Sequence, residues 1–367
     1  MLLFTPGPTP VPESVRAAMA KETIHHRTPE FTEIFLDTRN RLKRLLKMQE
    51  ALMIASTGTG AMEACVTNLC KKKALVINAG KFGERFKKIC EAFGIDYLEL
   101  RYDWDTPAEA ADVVEALKKD PDIDAVFVQI CESSGGLRHP VEEIAKAAKG
   151  VKEEITVVAD GITAVGVEPI DTSNIDALIT GSQKALMLPP GLSMIGLSDL
   201  AVDKIGKGRG FYLNMAAELK KQREGTTAYT AATTLIIGLN EVLSQIESMG
   251  IEQLYEDTKK RSEATREALK AIGLNIYPKS PAAAMSAVID EDAEKIRKLL
   301  KTRYDVNLAG GQESLKGRLF RINHMGFIKP YEACWVVNAI ELALADIGRI
   351  TYRGKAAEVF SGRYFQD

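Results

Sequence analysis

Lys184 closes the segment Asp176–Ala177–Leu178–Ile179–Thr180–Gly181–Ser182–Gln183–Lys184, where a short apolar run gives way to small and polar residues and then to one amine. Upstream, a second apolar run, Ile155 to Ala159, ends in Asp160. A primary amine at one strand end can condense with an aldehyde. A carboxylate at another can keep a heteroaromatic ring nitrogen protonated, so that the ring accepts electrons. That pair is what pyridoxal phosphate chemistry requires. A lone loop lysine is more often plain solvated surface, so this reading depends on what surrounds it.

Four other clusters could complete such a site. Ser56–Thr57–Gly58–Thr59–Gly60 lies between a predicted strand and a predicted helix. Small residues let backbone amides approach an anion there, and the helix dipole favours it; the alternative is a ligand-free N-cap turn. No Gly-Lys-Ser/Thr follows, which argues against nucleotide binding. Phe82, bracketed by Gly80 and Gly83, either stacks on a flat ring or packs under the next helix. Ser133 or Ser134, in Glu132–Ser133–Ser134–Gly135–Gly136, either donates to a ligand oxygen or belongs to a simple turn. Arg321 lies on the predicted strand Leu319–Asn323, sharing a face with Leu319 and Asn323. It could grip a carboxylate with two hydrogen bonds or sit on a solvated face. His25, His26 and Arg27, like Tyr229 and Thr230, have no clear local role; the adjacent histidines lack metal-ligand spacing.

These residues need a frame. Apolar runs at 51–55, 74–79, 125–130, 155–159, 177–179 and 192–197 predict buried strands, and helical periodicity fills 61–69, 82–93, 106–118, 141–149 and 232–249. The alternation implies an α/β fold, a mostly parallel sheet with helices on both faces, whose ligand sits beyond the carboxyl ends of the strands. Each candidate cluster except Arg321 and the unassigned polar sites follows such a strand. Past residue 251 the pattern becomes a charged helix followed by strands at 284–289 and 319–323 and helices at 290–301 and 330–347, which suits a smaller α+β domain. Four of the fourteen prolines fall in residues 1–14, predicting an extended arm. The expected organisation is an arm at 1–14, a large cofactor-binding domain at 15–255, a small domain at 256–350 and a surface tail at 351–367.

With 367 residues, 46% hydrophobic and 27% charged content, the composition is that of an ordinary globular chain. A formal charge of -2 gives no reason to expect nucleic acid or membrane as partner. No apolar stretch reaches the roughly 18 residues of a membrane span, and the start lacks signal-peptide features. Five scattered cysteines suit a reducing, cytoplasmic setting. No residue set has metal-binding spacing.

Together the segments resemble the class V, fold type I pyridoxal phosphate aminotransferases, in particular the alanine–glyoxylate and serine–glyoxylate aminotransferase group. The likeness runs from Thr5–Pro6–Gly7–Pro8 through Phe327, and its most specific pieces are Gly181–Ser182–Gln183–Lys184 with Pro189–Pro190–Gly191, the Ser-Thr-Gly-Thr turn, and Phe320–Arg321–Ile322–Asn323–His324–Met325–Gly326. The resemblance implies a fold type I sheet of seven strands, pyridoxal 5'-phosphate as cofactor, and a homodimer with shared sites. It implies Lys184 as the Schiff-base lysine and Asp160 as partner of the pyridine nitrogen. Thr57, Gly58, Thr59 and Gln183 would hold the phosphate, Phe82 would stack on the ring, and Ser133 would contact the phenolic oxygen. Arg321 would bind the substrate carboxylate. Tyr229 and Thr230 would reach the partner's phosphate, while Gly7, His26 and Arg27 would line the substrate entrance. The expected reaction is ping-pong transfer of an amino group from alanine or serine to a 2-oxo acid such as glyoxylate. An aspartate- or phosphoserine-type transaminase is the main rival. A cysteine desulfurase is disfavoured, because Cys334, the sole cysteine after Lys184, sits in a helical apolar stretch.

Overall fold

The computed structural model describes residues 1–365. Its centre is a seven-stranded sheet in the order Glu50–Ile54, Ser193–Leu197, Ala177–Gly181, Thr156–Asp160, Ile123–Gln129, Lys73–Asn78 and Asp96–Arg101. Only Ser193–Leu197 runs antiparallel to its neighbours; the remaining pairings are parallel. The inner strands are buried, Asp124 apart, because helices cover both faces. Two apolar cores follow, one on each side of the sheet.

The expected α/β frame is therefore present. One strand is absent from the periodicity reading: Asp96–Arg101, whose alternating charges suit an exposed sheet edge better than a core. The helix Pro29–Leu46 is a further element beyond those the periodicity predicts; its start is conventional, with Thr28 accepting from Phe31 N at 3.3 Å and proline at the first helical position.

The C-terminal part holds a four-stranded antiparallel sheet, Asn275–Ile276, Met285–Ile289, Leu319–Asn323 and Ala309–Gly310, backed by the helices Ala293–Arg303 and Pro330–Asp346. The helix Ile251–Ala271 runs through the expected boundary at 255/256. Its Leu254 packs in one core of the large sheet, and its Ala264 and Ala268 pack in the C-terminal core.

Both ends of the chain are more ordered than expected. In the N-terminal arm, Leu2–Leu3 pairs in parallel with Val306–Asn307, Phe4 is buried in the C-terminal core, and a helix begins at Glu13. The expected surface tail at 351–367 is, over its described residues, mostly a docked helix: Lys355–Phe365, with Ala356 and Phe360 fully buried; residues 366 and 367 lie outside the described part. Glu341, itself buried, accepts Ala356 N at 2.7 Å and anchors the start of this helix. The apolar spacing Ala356, Phe360, Tyr364 was present but short, and it acquires a meaning only from the core it meets.

Candidate active site

Parallel strands deliver their carboxyl ends to one edge of the sheet, so the turns after Ile54, Asn78, Gln129, Asp160 and Gly181 converge there. Lys184 stands three residues beyond its strand, in a turn where Met187 N bonds Lys184 O at 2.9 Å and Leu188 N bonds Ser182 O at 2.9 Å. The N-terminal arm crosses above it. Thr9 Oγ1 donates to Lys184 O at 2.7 Å, Thr9 N donates to Gln183 O at 3.1 Å, and Lys184 Nζ donates to Pro6 O. Gly7 has φ +114, and a Cβ built on it would lie 2.6 Å from Lys184 Nζ. Only glycine combines that backbone with so close an approach.

The electrostatics around the amine are unusual. Burial, with the Arg321 charge next in importance, pulls the Lys184 ammonium from 10.5 down to about 8. Asp160 is 4% exposed, and burial is the main cause that pushes its carboxyl from 3.8 up to about 6, against the opposing hydrogen bond from Ile162 N at 3.0 Å. A readily deprotonated amine and a carboxylate short of a cationic partner thus lie close enough to feel each other's charge. An N–H⁺ of a ring would satisfy the second while the first reacts with a carbonyl.

Arg321, 7% exposed, is held by three donations: Nε and Nη2 to Gly310 O at 3.2 and 2.7 Å, and Nη1 to Ser133 O at 2.7 Å. A guanidinium has five N–H donors, so the fork retains donors for a carboxylate. Among the described residues it forms no ion pair, and burial lowers it to about 10. Ser133 is buried and presents its carbonyl to this arginine.

The Thr57–Thr59 turn opens the helix Gly58–Leu69. Thr57 is its N-cap but makes no side-chain cap bond, which leaves first-turn amides available to an anion. A Cβ on Gly58 would come within 2.3 Å of Ile162 Cδ1, so glycine lets the turn close over the residue two beyond Asp160 without moving that side chain. Gln183 Oε1 is buried without a partner. These uncapped amides and the Asp160–Lys184 pair fit a phosphate-bearing pyridine aldehyde.

Two residues escaped the sequence reading. Glu132 is fully buried and accepts Phe82 N and Gly83 N, both at 2.9 Å, together with Ser134 N at 3.1 Å and Ser134 Oγ at 2.5 Å, which fixes the Phe82 loop against the Ser133 turn. Its placement at a strand end was the available signal. Arg85, one helical turn after Phe82, donates from Nη1 to Thr59 Oγ1 at 3.0 Å and lies 4.6 Å from the Phe82 ring centre. Its distance in sequence from Thr59 hid that contact.

The remaining candidates are not brought to Lys184 within one chain. Tyr229 OH donates to Phe211 O at 2.9 Å, its ring packs on Tyr212 and Phe211, and Thr230 is exposed. His26 packs against His25 with ring centres 4.7 Å apart, and Arg27 N donates to His25 Nδ1 at 3.2 Å.

A lysine and an aspartate at adjacent strand ends of a seven-stranded, mostly parallel sheet, with a second sheet supplying an arginine, define a fold type I pyridoxal phosphate enzyme. The chain belongs to the class-V aminotransferase family, whose model matches residues 1–336. It is 48% identical over 367 residues to an uncharacterized aminotransferase of Helicobacter pylori, with both chains covered completely. It is 30% identical to the serine–glyoxylate aminotransferase of Hyphomicrobium methylovorum, covering 98% of this chain and 94% of that one. Among solved structures, an aspartate aminotransferase from Thermus thermophilus superposes with a TM-score of 0.89 at 31% identity, covering 95% of this chain and 100% of the other. The protein is a pyridoxal phosphate-dependent aminotransferase.

Proposed function

We propose that this aminotransferase takes the amino group of a small amino acid, alanine or serine, and passes it to a 2-oxo acid such as glyoxylate in a ping-pong cycle. The observation that carries the reading is the Lys184 amine, lowered to about 8 between Arg321 and Asp160. Bound pyridoxal phosphate supplies an aldehyde for amines and an electron sink for the substrate α-carbon. The chain supplies the rest. Lys184, lowered to about 8 so that a usable fraction is neutral near physiological pH, takes the proton from the substrate α-carbon as general base and delivers it to the cofactor's C4′ carbon as general acid. Asp160 holds the ring N–H⁺, and Phe82 packs on the ring. Thr57, Gly58, Thr59 and Gln183 hold the phosphate, while Ser133 meets the phenolic oxygen. Arg321 orients the substrate carboxylate so that the α-hydrogen faces Lys184.

The preference for a small donor is supported by the serine–glyoxylate relative and by Arg321 as the buried guanidinium beside Lys184. A homodimer is part of the proposal. Phe211 is 79% exposed and packs against Tyr229 with ring centres 5.4 Å apart, so this aromatic face suits a second copy that receives Tyr229 and Thr230 in its pocket, with His26 and Arg27 at its entrance. Among the described residues no helix is long and apolar enough to cross a membrane; a reducing cytoplasm, where the five free cysteines persist, is the setting proposed.

An acidic donor is the second reading, supported by the name of the Thermus thermophilus relative. It needs a further cation, and Arg27 is exposed without an ion pair among the described residues. A desulfurase reading is weaker, since Cys334 packs with its Sγ 3.7 Å from Ser361 Oγ of the C-terminal helix. Initial rates for alanine, serine, aspartate and phosphoserine with glyoxylate decide among these. Alanine or serine should lead; a lead for aspartate or phosphoserine would replace the first reading with the second.

A further inference from the structure

Arg85 combines three features that the reaction as described leaves unused. It is half-buried on the helix Lys81–Phe93, yet it pairs with no carboxylate among the described residues, and its chain neighbour Glu84 pairs instead with Lys88 at 3.0 Å. A half-buried cation without a counter-charge is costly unless something anionic comes to it. Its Nη1 donates to Thr59 Oγ1 at 3.0 Å. Because guanidinium only donates, Thr59 must accept, and its own hydroxyl hydrogen is then turned elsewhere. Its guanidinium also covers one face of Phe82 at 4.6 Å, a cation–π contact that holds the ring and leaves the other face for stacking.

We propose that Arg85 is a cofactor-positioning residue: it sets the Thr59 hydroxyl as a donor to the pyridoxal phosphate phosphoryl group, supplies that group with positive charge, and braces Phe82 against the pyridine ring. One side chain thereby links the phosphate end of the site to its ring end. The neighbouring Asp160 and Lys184 both feel its charge. This inference rests on the pyridoxal phosphate site proposed above.

The test compares binding of pyridoxal 5'-phosphate and of unphosphorylated pyridoxal to apoprotein, for the wild type and for Arg85→Met, Arg85→Lys, Thr59→Val and the double variant Arg85→Met/Thr59→Val. Arg85→Met should weaken pyridoxal phosphate roughly 10- to 30-fold, as expected for a charge-assisted contact, and pyridoxal by less than about 3-fold. Arg85→Lys should recover part of the phosphate-dependent loss, since it restores charge without the planar fork. The double variant should lose less than the product of the two single losses, because part of the Arg85 effect passes through the Thr59 hydroxyl. The proposal is overturned if Arg85→Met binds pyridoxal phosphate as the wild type does, if both ligands lose equally, or if the two losses multiply. Should Arg85→Met not fold, the Thr59→Val and Arg85→Lys ratios of the two ligands decide by the same criterion. A wild-type apoprotein that takes up no pyridoxal phosphate at Lys184 would instead overturn the site itself, and this inference with it.

Discussion

Arg321 donates from Nη1 to the backbone carbonyl of Ser133 across 2.7 Å, so the four-stranded sheet is tied to the turn that follows a strand of the seven-stranded sheet. The same guanidinium lowers the ammonium of Lys184. The tie between the two sheets and the tuning of the Lys184 amine therefore meet in one side chain, the one proposed to grip the substrate carboxylate.

Arg321→Ala should lower kcat/KM for every carboxylate substrate by roughly 100-fold, the cost of losing a charge-assisted, buried contact. Arg321→Lys should recover little, because a point charge cannot reproduce the fork. Steady-state kinetics with two donors checks this, and an unchanged KM would assign the carboxylate to another cation.

Lys184 should make covalent uptake of pyridoxal phosphate by apoprotein depend on pH with a midpoint near 8. The neutral amine is the reactive form, so the rate rises through that midpoint and levels above it. Stopped-flow absorbance reads the profile; a midpoint near 10.5 would show an amine untouched by burial. The linked stability has the same sign. Between about 8 and 10.5 the unfolded chain holds a proton that the fold has released, so apoprotein stability rises with pH across that window.

Asp160 shows the opposite sign. Its folded carboxyl keeps its proton up to about 6, against 3.8 unfolded, so apoprotein stability falls as pH rises between those values and stays lower above them. Asp160→Asn should therefore raise apoprotein stability at pH 7 by on the order of 2–3 kcal/mol, with no gain below pH 4, while transamination falls by orders of magnitude. Denaturant melts at pH 4 and 7, paired with activity, test both halves.

Gly7→Ala places a methyl against Lys184 at a φ of +114. We expect a loss of roughly 1–3 kcal/mol in stability and a lower kcat, since the arm or the lysine must move. Thermal melts and kinetics of Gly7→Ala beside a control such as Gly150→Ala, where an added Cβ meets nothing within 4 Å, separate the two effects.

Phe360→Ala tests the C-terminal helix. Its ring is fully buried and packs on Tyr364 with ring centres 5.6 Å apart, so truncation should cost roughly 3–5 kcal/mol. A melting point within a degree of the wild type would mean that the helix is not docked.

Much of this protein was readable in the chain itself. Buried strands announce themselves as apolar runs because they are covered on both faces, and the residue that ends such a run is carried to the ligand edge of a parallel sheet. That is why Lys184, Asp160, Phe82 and the Thr57–Thr59 turn stand out as candidates from local pattern, while their individual roles rest on the family resemblance. Arg321 was legible as a residue on a strand, but which way that strand faced was not.

What tertiary structure alone decided is whatever depends on distant segments meeting. The polar edge strand Asp96–Arg101 and the helix Lys355–Phe365 each carry too short or too mixed a pattern to declare themselves until a neighbour covers them. Arg85 meets Thr59, Glu132 receives the Phe82 loop, and the arm lays Gly7 and Pro6 over Lys184. Hydrogen bonds and electrostatic shifts act over a few ångströms of space, and separation along the chain carries no record of that distance.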